Sequence, residues 1–401
     1  MNKVVLKLNG QNFSHWEKVN ITSSLNELAR SFSLDVTYLM PQKNALHDLF
    51  KPSDKVQIFI DDDLILTGYI DKTPINYSAT AINVQIVGRS KTADLIDCNP
   101  YPEGEVIEFS KDWVVQAPKD GYTEFTPAAV TSRAKRDDKL GNVIATLAGA
   151  YDIRFKAKND DELLSKLNAV KDVSLSPEKT LYDIIASVVI CDDLIITDDE
   201  NGDLVALKKG AETSDDVLEL GANVLSGKAD FDASKLYQTY SCAGHAKGND
   251  ETSGRDLQLL ARSTDSNVSR RRYKFLNNVA ENGNVKNNAQ SERDYQHAQF
   301  YKVTYSVVGW RQSTGKLWGV NQLVSVIDKM LGFDKKTMLI QKVTFDLDNS
   351  SGMITTLELI PPEGFKTEPK TAETKNTPSS KNKFSQVKDN DLHLEKNRFS
   401  L

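Results

Sequence analysis

Gly88, Arg89, Ser90, Lys91 and Thr92 follow a strand-like run, NVQIV. A glycine, a lysine and a hydroxyl in that order are ingredients of a loop that cradles phosphate. Such a loop needs GxxxxGK[ST], because several backbone amides must curl around the phosphoryl oxygens. Here one glycine stands alone, and Ser90 holds the position before Lys91. The stretch therefore predicts a strand ended by Gly88, with TADLID making one helical turn that seals a β-barrel.

Other chemistry-bearing groups fail in the same way. Asp61, Asp62 and Asp63 offer carboxylates, but a hard cation wants them from several directions. Three neighbours in a hairpin tip diverge, and turns favour Asp for their own reasons. Asp192 with Asp193, and Asp198 to Glu200, meet the same objection. His15, His47, His245, His297 and His393 are scattered, with no HExxH and no GxSxG. Cys242 and His245 are close in sequence, but further ligands are missing, so a strand-end cysteine and a loop histidine are expected. Arg270, Arg271 and Arg272 precede Tyr273 without the aromatic series of an RNA reader, which points to a solvated or interface-pairing cluster. Trp310 and Trp318, in GWRQSTGKLWGVN, could form a carbohydrate platform; core or subunit interface is the stronger reading. No catalytic, cofactor-binding or metal-ligating residue is assigned, and no cofactor is expected.

The elements that carry these residues predict a mainly β chain with an α+β insertion. Residues 1–97 read as a first β-barrel. Val4, Leu6 and Leu8 alternate with polar residues, Ser24 and Glu27 suit a capping box for a short helix, LNELAR, and KVQIFIDDDLILTGYID is a hairpin. Residues 98–212 read as an α+β inserted domain. DDKLGNVIATLAGAY and SPEKTLYDIIASVV are helical, the latter capped by Ser176 with Pro177 or by Thr180 with Asp183. A second hairpin turns at Asn201-Gly202. Residues 213–245 and 301–365 form a second, similar β-barrel, its later part supplying four strands. Residues 246–300 are a polar excursion with a loop and a helix near SERDYQHAQF. Residues 366–401, with eight Lys/Arg against five Asp/Glu and few apolar side chains, form a disordered tail.

Composition limits the function. The 401 residues carry a formal net charge of −6, which advertises no grip on nucleic acid. Three cysteines, Cys98, Cys191 and Cys242, lie far apart, with no CxxC pair. That argues against a disulfide framework or structural zinc and fits a reducing compartment at synthesis. The N-terminus lacks the apolar core of a signal peptide, and no run approaches a transmembrane helix. A protein soluble when made is expected, without membrane insertion. One internal echo stands out: VQIVG–RSKTADLID and VTYSVVGW–RQSTGKLWG are both alternating strands ending in Val-Gly and a basic turn, as a duplicated barrel would leave behind.

LTGYID with VGRSKTADLIDC, then TLYDIIASVV, DLIITDDENGDLVALKK and VVGWRQSTGKLWGVNQLVSV, closely resemble the Mu-like phage tail protein P family. These are baseplate hub proteins of contractile tails, similar to the T-even phage hub and to the hub region of type VI secretion spikes. The resemblance covers roughly residues 1–364; the loop at 99–136 and the excursion at 246–290 look expanded, and the tail has no counterpart. It implies a structural, non-enzymatic virion protein, assembled in the host cytoplasm. As a homotrimer with two barrels per chain it would match a sixfold tail tube to a threefold spike, with other baseplate proteins as neighbours. DNA would pass through the ring without specific binding. The alternative is a carbohydrate-acting or cell-wall-degrading tail protein, whose chemistry wants two carboxylates flanking a groove.

Overall fold

The computed structural model describes residues 3–38, 49–78, 82–99, 114–115, 121–126, 139–169, 178–189, 194–245, 258–281 and 285–365. Apolar-polar alternation makes most of the early segments strands: β1 (Val4–Leu8), β2 (Gln11–Phe13), β3 (Lys18–Ser24), β4 (Ser31–Tyr38), β5 (Lys55–Ile60), β6 (Asp63–Lys72), β7 (Ile75–Tyr77) and β8 (Ile82–Ser90). In β5 and β8 every second side chain is buried, the period-2 signature of a sheet with one covered face. One turn, α1 (Ala93–Asp97), follows.

A mixed layer comes next, built from β9 (Val114–Val115), β10 (Tyr122–Thr126), α2 (Leu140–Gly149), β11 (Phe155–Lys158), α3 (Asp161–Leu167), α4 (Leu181–Val189), β12 (Ile195–Asp198) and β13 (Leu204–Leu207). Its five strands run β12-β13-β11-β10-β9. α2 is buried on every side, and it shares a core with α4, Phe125 and Phe155. Asp183 N–H donates to Thr180 Oγ1 at 3.1 Å, so Thr180 caps α4. Ser176 and Pro177 lie outside the described residues.

The chain continues through β14 (Glu212–Glu219), β15 (Val224–Ala229), β16 (Thr239–His245), β17 (Gln258–Thr264), β18 (Tyr273–Glu281), α5 (Val285–Phe300), β19 (Val303–Val308), β20 (Gln322–Asp328), β21 (Phe333–Asp348) and β22 (Gly352–Ile360). β16 sits in a separate three-stranded sheet, β17-β16-β18, against α5. The stretch expected to enter the second barrel thus divides between two sheets after β15.

Two separate closed barrels are not what forms. Among the described residues, one sheet of fourteen strands runs β15-β19-β22-β21-β3-β4-β8-β6-β5-β1-β2, with β20 beside β21, β14 beside β20 and β7 beside β8. No ladder closes either end on itself. The reason is the length of β21. Its first half pairs with β20, from Phe333 to Leu339, and its second half pairs with β3, from Lys342 to Asp348. One strand outlasts its first partner and takes another, which fuses the two arrays over one continuous core.

The arrays share a topology. Numbered in chain order within each, β3-β4-β8-β6-β5-β1 and β15-β19-β22-β21-β20-β14 both read 2-3-6-5-4-1. Registers agree as well. A bulge falls between Ile70 and Lys72 opposite β8, and between Ile340 and Lys342 opposite β22. Tyr77↔Ile82 in the first array takes the place of Leu347↔Met353 in the second. A second bulge follows Ile58 in β5 and Val326 in β20. One ladder differs: β1 runs antiparallel to β5, whereas β14 runs parallel to β20. The counterpart of β8 is therefore β22, and that of β19 is β4, so the Val-Gly echo joins strands that are not equivalent.

LNELAR is not a helix. Residues 25–29 are a chain of bends. Ser24 Oγ accepts from Asn26 N–H at 3.1 Å, and Leu25 N–H donates to Gln341 O at 2.8 Å. The bond from Leu25 to β21 extends the strand pairing past Ser24, and the chain bends there instead of starting a helix.

Candidate functional site: seams between modules

Among the described residues, three joints tie the parts of the chain together, and they absorb several of the residues singled out above. The first is the β21–β3 ladder. Across it Asn20 Nδ2 donates to Asp346 Oδ1 at 2.7 Å, the hydroxyls of Thr22 and Thr344 lie 3.2 Å apart, and Lys18 faces Asp348 at 3.7 Å. Burial raises the Asp346 carboxyl above its ordinary range, while the Asn20 amide pulls it back.

The second joint ties the β5–β6 hairpin to the loop before β20. Arg311 Nη1 donates to Asp63 Oδ2 at 2.8 Å and Nη2 to Asp61 Oδ2 at 3.0 Å. Asp61 Oδ1 also accepts from Lys3 N–H at 2.7 Å. Burial acts to raise the Asp61 carboxyl, but the Lys3 amide and the guanidinium outweigh it and hold it below the usual range. The aspartates of the hairpin tip face a cation, and that cation is Arg311. Beside it Trp310 is buried, and its Nε1 donates to Asp346 O at 3.1 Å and Ile354 O at 3.2 Å. Trp318 is buried too, so neither indole presents a platform to sugar.

The third joint is the fate of GRSKT. A Cβ on Gly88 would fall on the Tyr69 carbonyl and the Phe32 ring; the glycine serves close backbone approach, not a phosphate. Ser90, Lys91 and Thr92 dock on the β12–β13 hairpin. Asp198 is buried and receives Ser90 Oγ at 2.5 Å, Arg30 Nε at 3.2 Å, Arg30 N–H at 3.2 Å and Thr92 Oγ1 at 3.4 Å. Burial pushes the Asp198 carboxyl up, against the pull of Arg30 and Ser90. Asp203, also buried, meets Arg154 at 2.5 Å, Lys156 at 3.3 Å and Lys91 at 3.4 Å. Burial alone would raise it, but the three cations hold it low. Gly202, at φ +70°, lets the turn lie against Thr67 O, where a Cβ would come within 2.6 Å. A cavity of about 330 Å³ beside this joint is lined by Asp199, Glu200, Glu212 and Lys158. Lys158 pairs with Glu212 at 3.6 Å and Asp199 with Lys156 at 2.5 Å, so its charges are largely spent on one another.

The remaining candidates do not converge. Among the described residues no three His, Cys, Asp or Glu side chains gather where they could hold a metal. Cys242 is buried against Ala289 of α5. His297 Nδ1 lies 3.1 Å from Asp265, and His15 Nδ1 lies 3.0 Å from Ser14 Oγ. Arg272 donates to the carbonyls of Ala233, Ser234 and Leu236 at 2.9–3.0 Å and stacks over Tyr237, while Arg270 and Arg271 are exposed. His47, Cys191, Asp192, Asp193 and His393 lie outside the described residues. Sequence reasoning missed Arg30 and Arg154, for which no local signal exists; their partners lie 168 and 49 positions away.

The fold is shared with solved tail proteins. The 43 kDa tail protein of prophage MuSo2 from Shewanella oneidensis matches with a TM-score of 0.72 at 24% identity, over 90% of this chain and 99% of that one. The tail protein from Neisseria meningitidis MC58 matches with a TM-score of 0.66 at 18% identity, over 90% and 96%. In sequence, residues 3–90 match Mu phage baseplate assembly protein GpP-like, N-terminal, and residues 282–368 match Mu phage baseplate assembly protein GpP, fourth domain. Baseplate hub protein gp44 of Escherichia phage Mu is 26% identical over 375 residues, 91% of this chain and 89% of that protein. The two ends of the chain thus match domains of the Mu phage baseplate assembly protein GpP family, and over most of its length the chain is similar to a structural protein of the phage tail baseplate hub.

Proposed function

We propose that this protein closes as a homotrimeric ring that adapts a sixfold tail tube to a threefold spike, and that it catalyses nothing. The observation that carries the reading is the shared strand order and register of the two arrays. Two like modules per chain, repeated three times about an axis, present six similar units, so a threefold assembly offers a pseudo-sixfold face. The tube and other baseplate proteins would stack on that face and the spike on the threefold side. DNA would slide through the opening, because binding needs phosphate neutralisation and the chain is acidic overall. Assembly would take place in the host cytoplasm before incorporation into the virion.

The joints favour force transmission over chemistry. Their buried charges are paired inside the chain, which leaves a stiff frame rather than a set of poised acids and bases. Native mass spectrometry with electron microscopy of the purified protein tests the reading. A three-chain mass with a six-lobed ring is expected; a monomer that digests cell wall would reverse it.

A further inference from the structure

The β21–β3 seam has a twin that is half built. In the register common to both arrays, β6 with β7 takes the place of β21, and β15 takes the place of β3. Inside the chain β21 pairs with β3 from Lys342↔Ser24 to Asp348↔Lys18. The equivalent strands do not meet. Among the described residues β7 forms a ladder with β8 alone, and β15 with β19 alone. A chain with one filled seam and one unfilled pair of edges of the same design joins head to tail, and closes when the rotation suits.

We propose that β7 of one copy pairs antiparallel with β15 of a second copy, in the register of the internal seam. Ile75 then faces Ala229, Asn76 faces Lys228 and Tyr77 faces Gly227. The pairing rests on the ring reading and specifies its interface.

Backbone direction fits. Gln85 N–H bonds Pro74 O at 3.0 Å, so residue 74 turns its polar groups toward β8. In an antiparallel ladder its alternate neighbours, residues 73, 75 and 77, turn theirs to the open edge. The donor that proline lacks is thus absent on the side of β8, and the open edge keeps its N–H groups. Side chains fit too. Tyr77 is 82% exposed, a large aromatic left in water on the open edge of β7. Gly227 tolerates no side chain, because a Cβ would come within 2.8 Å of the Tyr305 ring. Open strand edges recruit strands, and here two match.

Cysteines at Asn76→Cys and Lys228→Cys in one full-length chain test the register. Their Cα atoms would sit about 4.5 Å apart as a non-hydrogen-bonded pair, within disulfide reach. The equivalent internal pair, Asn20 and Asp346, touches at 2.7 Å. After mild oxidation the double variant is expected to run as covalent dimers and trimers on a non-reducing gel. Each single variant, and Lys72→Cys with Lys228→Cys as the out-of-register pair, should stay at monomer mass. Circular dichroism verifies folding, and native mass spectrometry of the unaltered chain runs in parallel. A three-chain native mass without cross-linking above the out-of-register pair overturns the joint and leaves the ring reading standing. A monomer at every concentration without cross-linking overturns both.

Discussion

Arg311 and Asp63 lie 248 positions apart in the chain and 2.8 Å apart in space. With Asp61 they tie the hairpin of the first array to the loop entering β20 of the second. The guanidinium reaches two carboxylates at once, which a lysine cannot do. Because the groups are partly solvated, the stabilisation is modest. Arg311→Lys is expected to cost about 0.5–1 kcal/mol, read as a small drop in denaturation midpoint. An unchanged midpoint for both Arg311→Lys and Arg311→Ala would remove this clamp from the account.

Asp198 is a different case. It is buried with Arg30, and removing one partner of a buried pair strands the other. Asp198→Ala should destabilise by about 3–5 kcal/mol, and Ser90→Ala by about 1–3 kcal/mol, since it takes away a buried hydrogen bond to a charged group. Denaturant unfolding followed by tryptophan fluorescence checks both. Equal, small effects would mean that GRSKT merely touches the hairpin.

The joint should also answer to acid. The folded state holds the Asp203 carboxyl below its ordinary value, so its share of stability is complete above the unfolded value, about 3.9. That share is lost as pH falls below this value through the folded one. Asp198, raised by burial, has the opposite sign: its contribution falls as pH rises from the ordinary value through the folded one. Midpoints measured across the acid range on wild type and Asp203→Asn separate the two, and only the wild type should show the Asp203 loss at low pH.

Gly88→Ala should fail more severely than its size suggests. The methyl has no free space between the Tyr69 carbonyl and the Phe32 ring, so β6 and β8 must part. Insoluble or strongly destabilised protein is expected, judged by soluble yield and midpoint; a well-folded variant would contradict the close approach.

Much of this was legible in sequence because strands, hairpins and caps are local. The hairpins at Asp61–Asp63 and Asn201-Gly202, the helices TADLID and TLYDIIASVV, and the four strands after residue 301 all formed where alternation and turn residues placed them. What was not legible is long-range. Nothing near Lys342 announces that β21 changes partner there, so two closed barrels were expected where one sheet runs on. Nothing near Leu25 announces that Gln341 will take its N–H. The Val-Gly echo misled because it matched residue types, whereas the true correspondence of β8 with β22 lies in register and bulges, which only pairing reveals. The acidic turns looked like isolated surface charge because Arg311 and Arg30 lie far along the chain.

The central claim is that two like arrays per chain, taken three times, make a six-unit ring. Electron microscopy of the purified full-length protein, averaged without imposed symmetry, tests it most directly. The account predicts three chains around a central hole, with six similar lobes alternating between first and second arrays. Any other number of chains, or arrays that do not repeat about the axis, would contradict it.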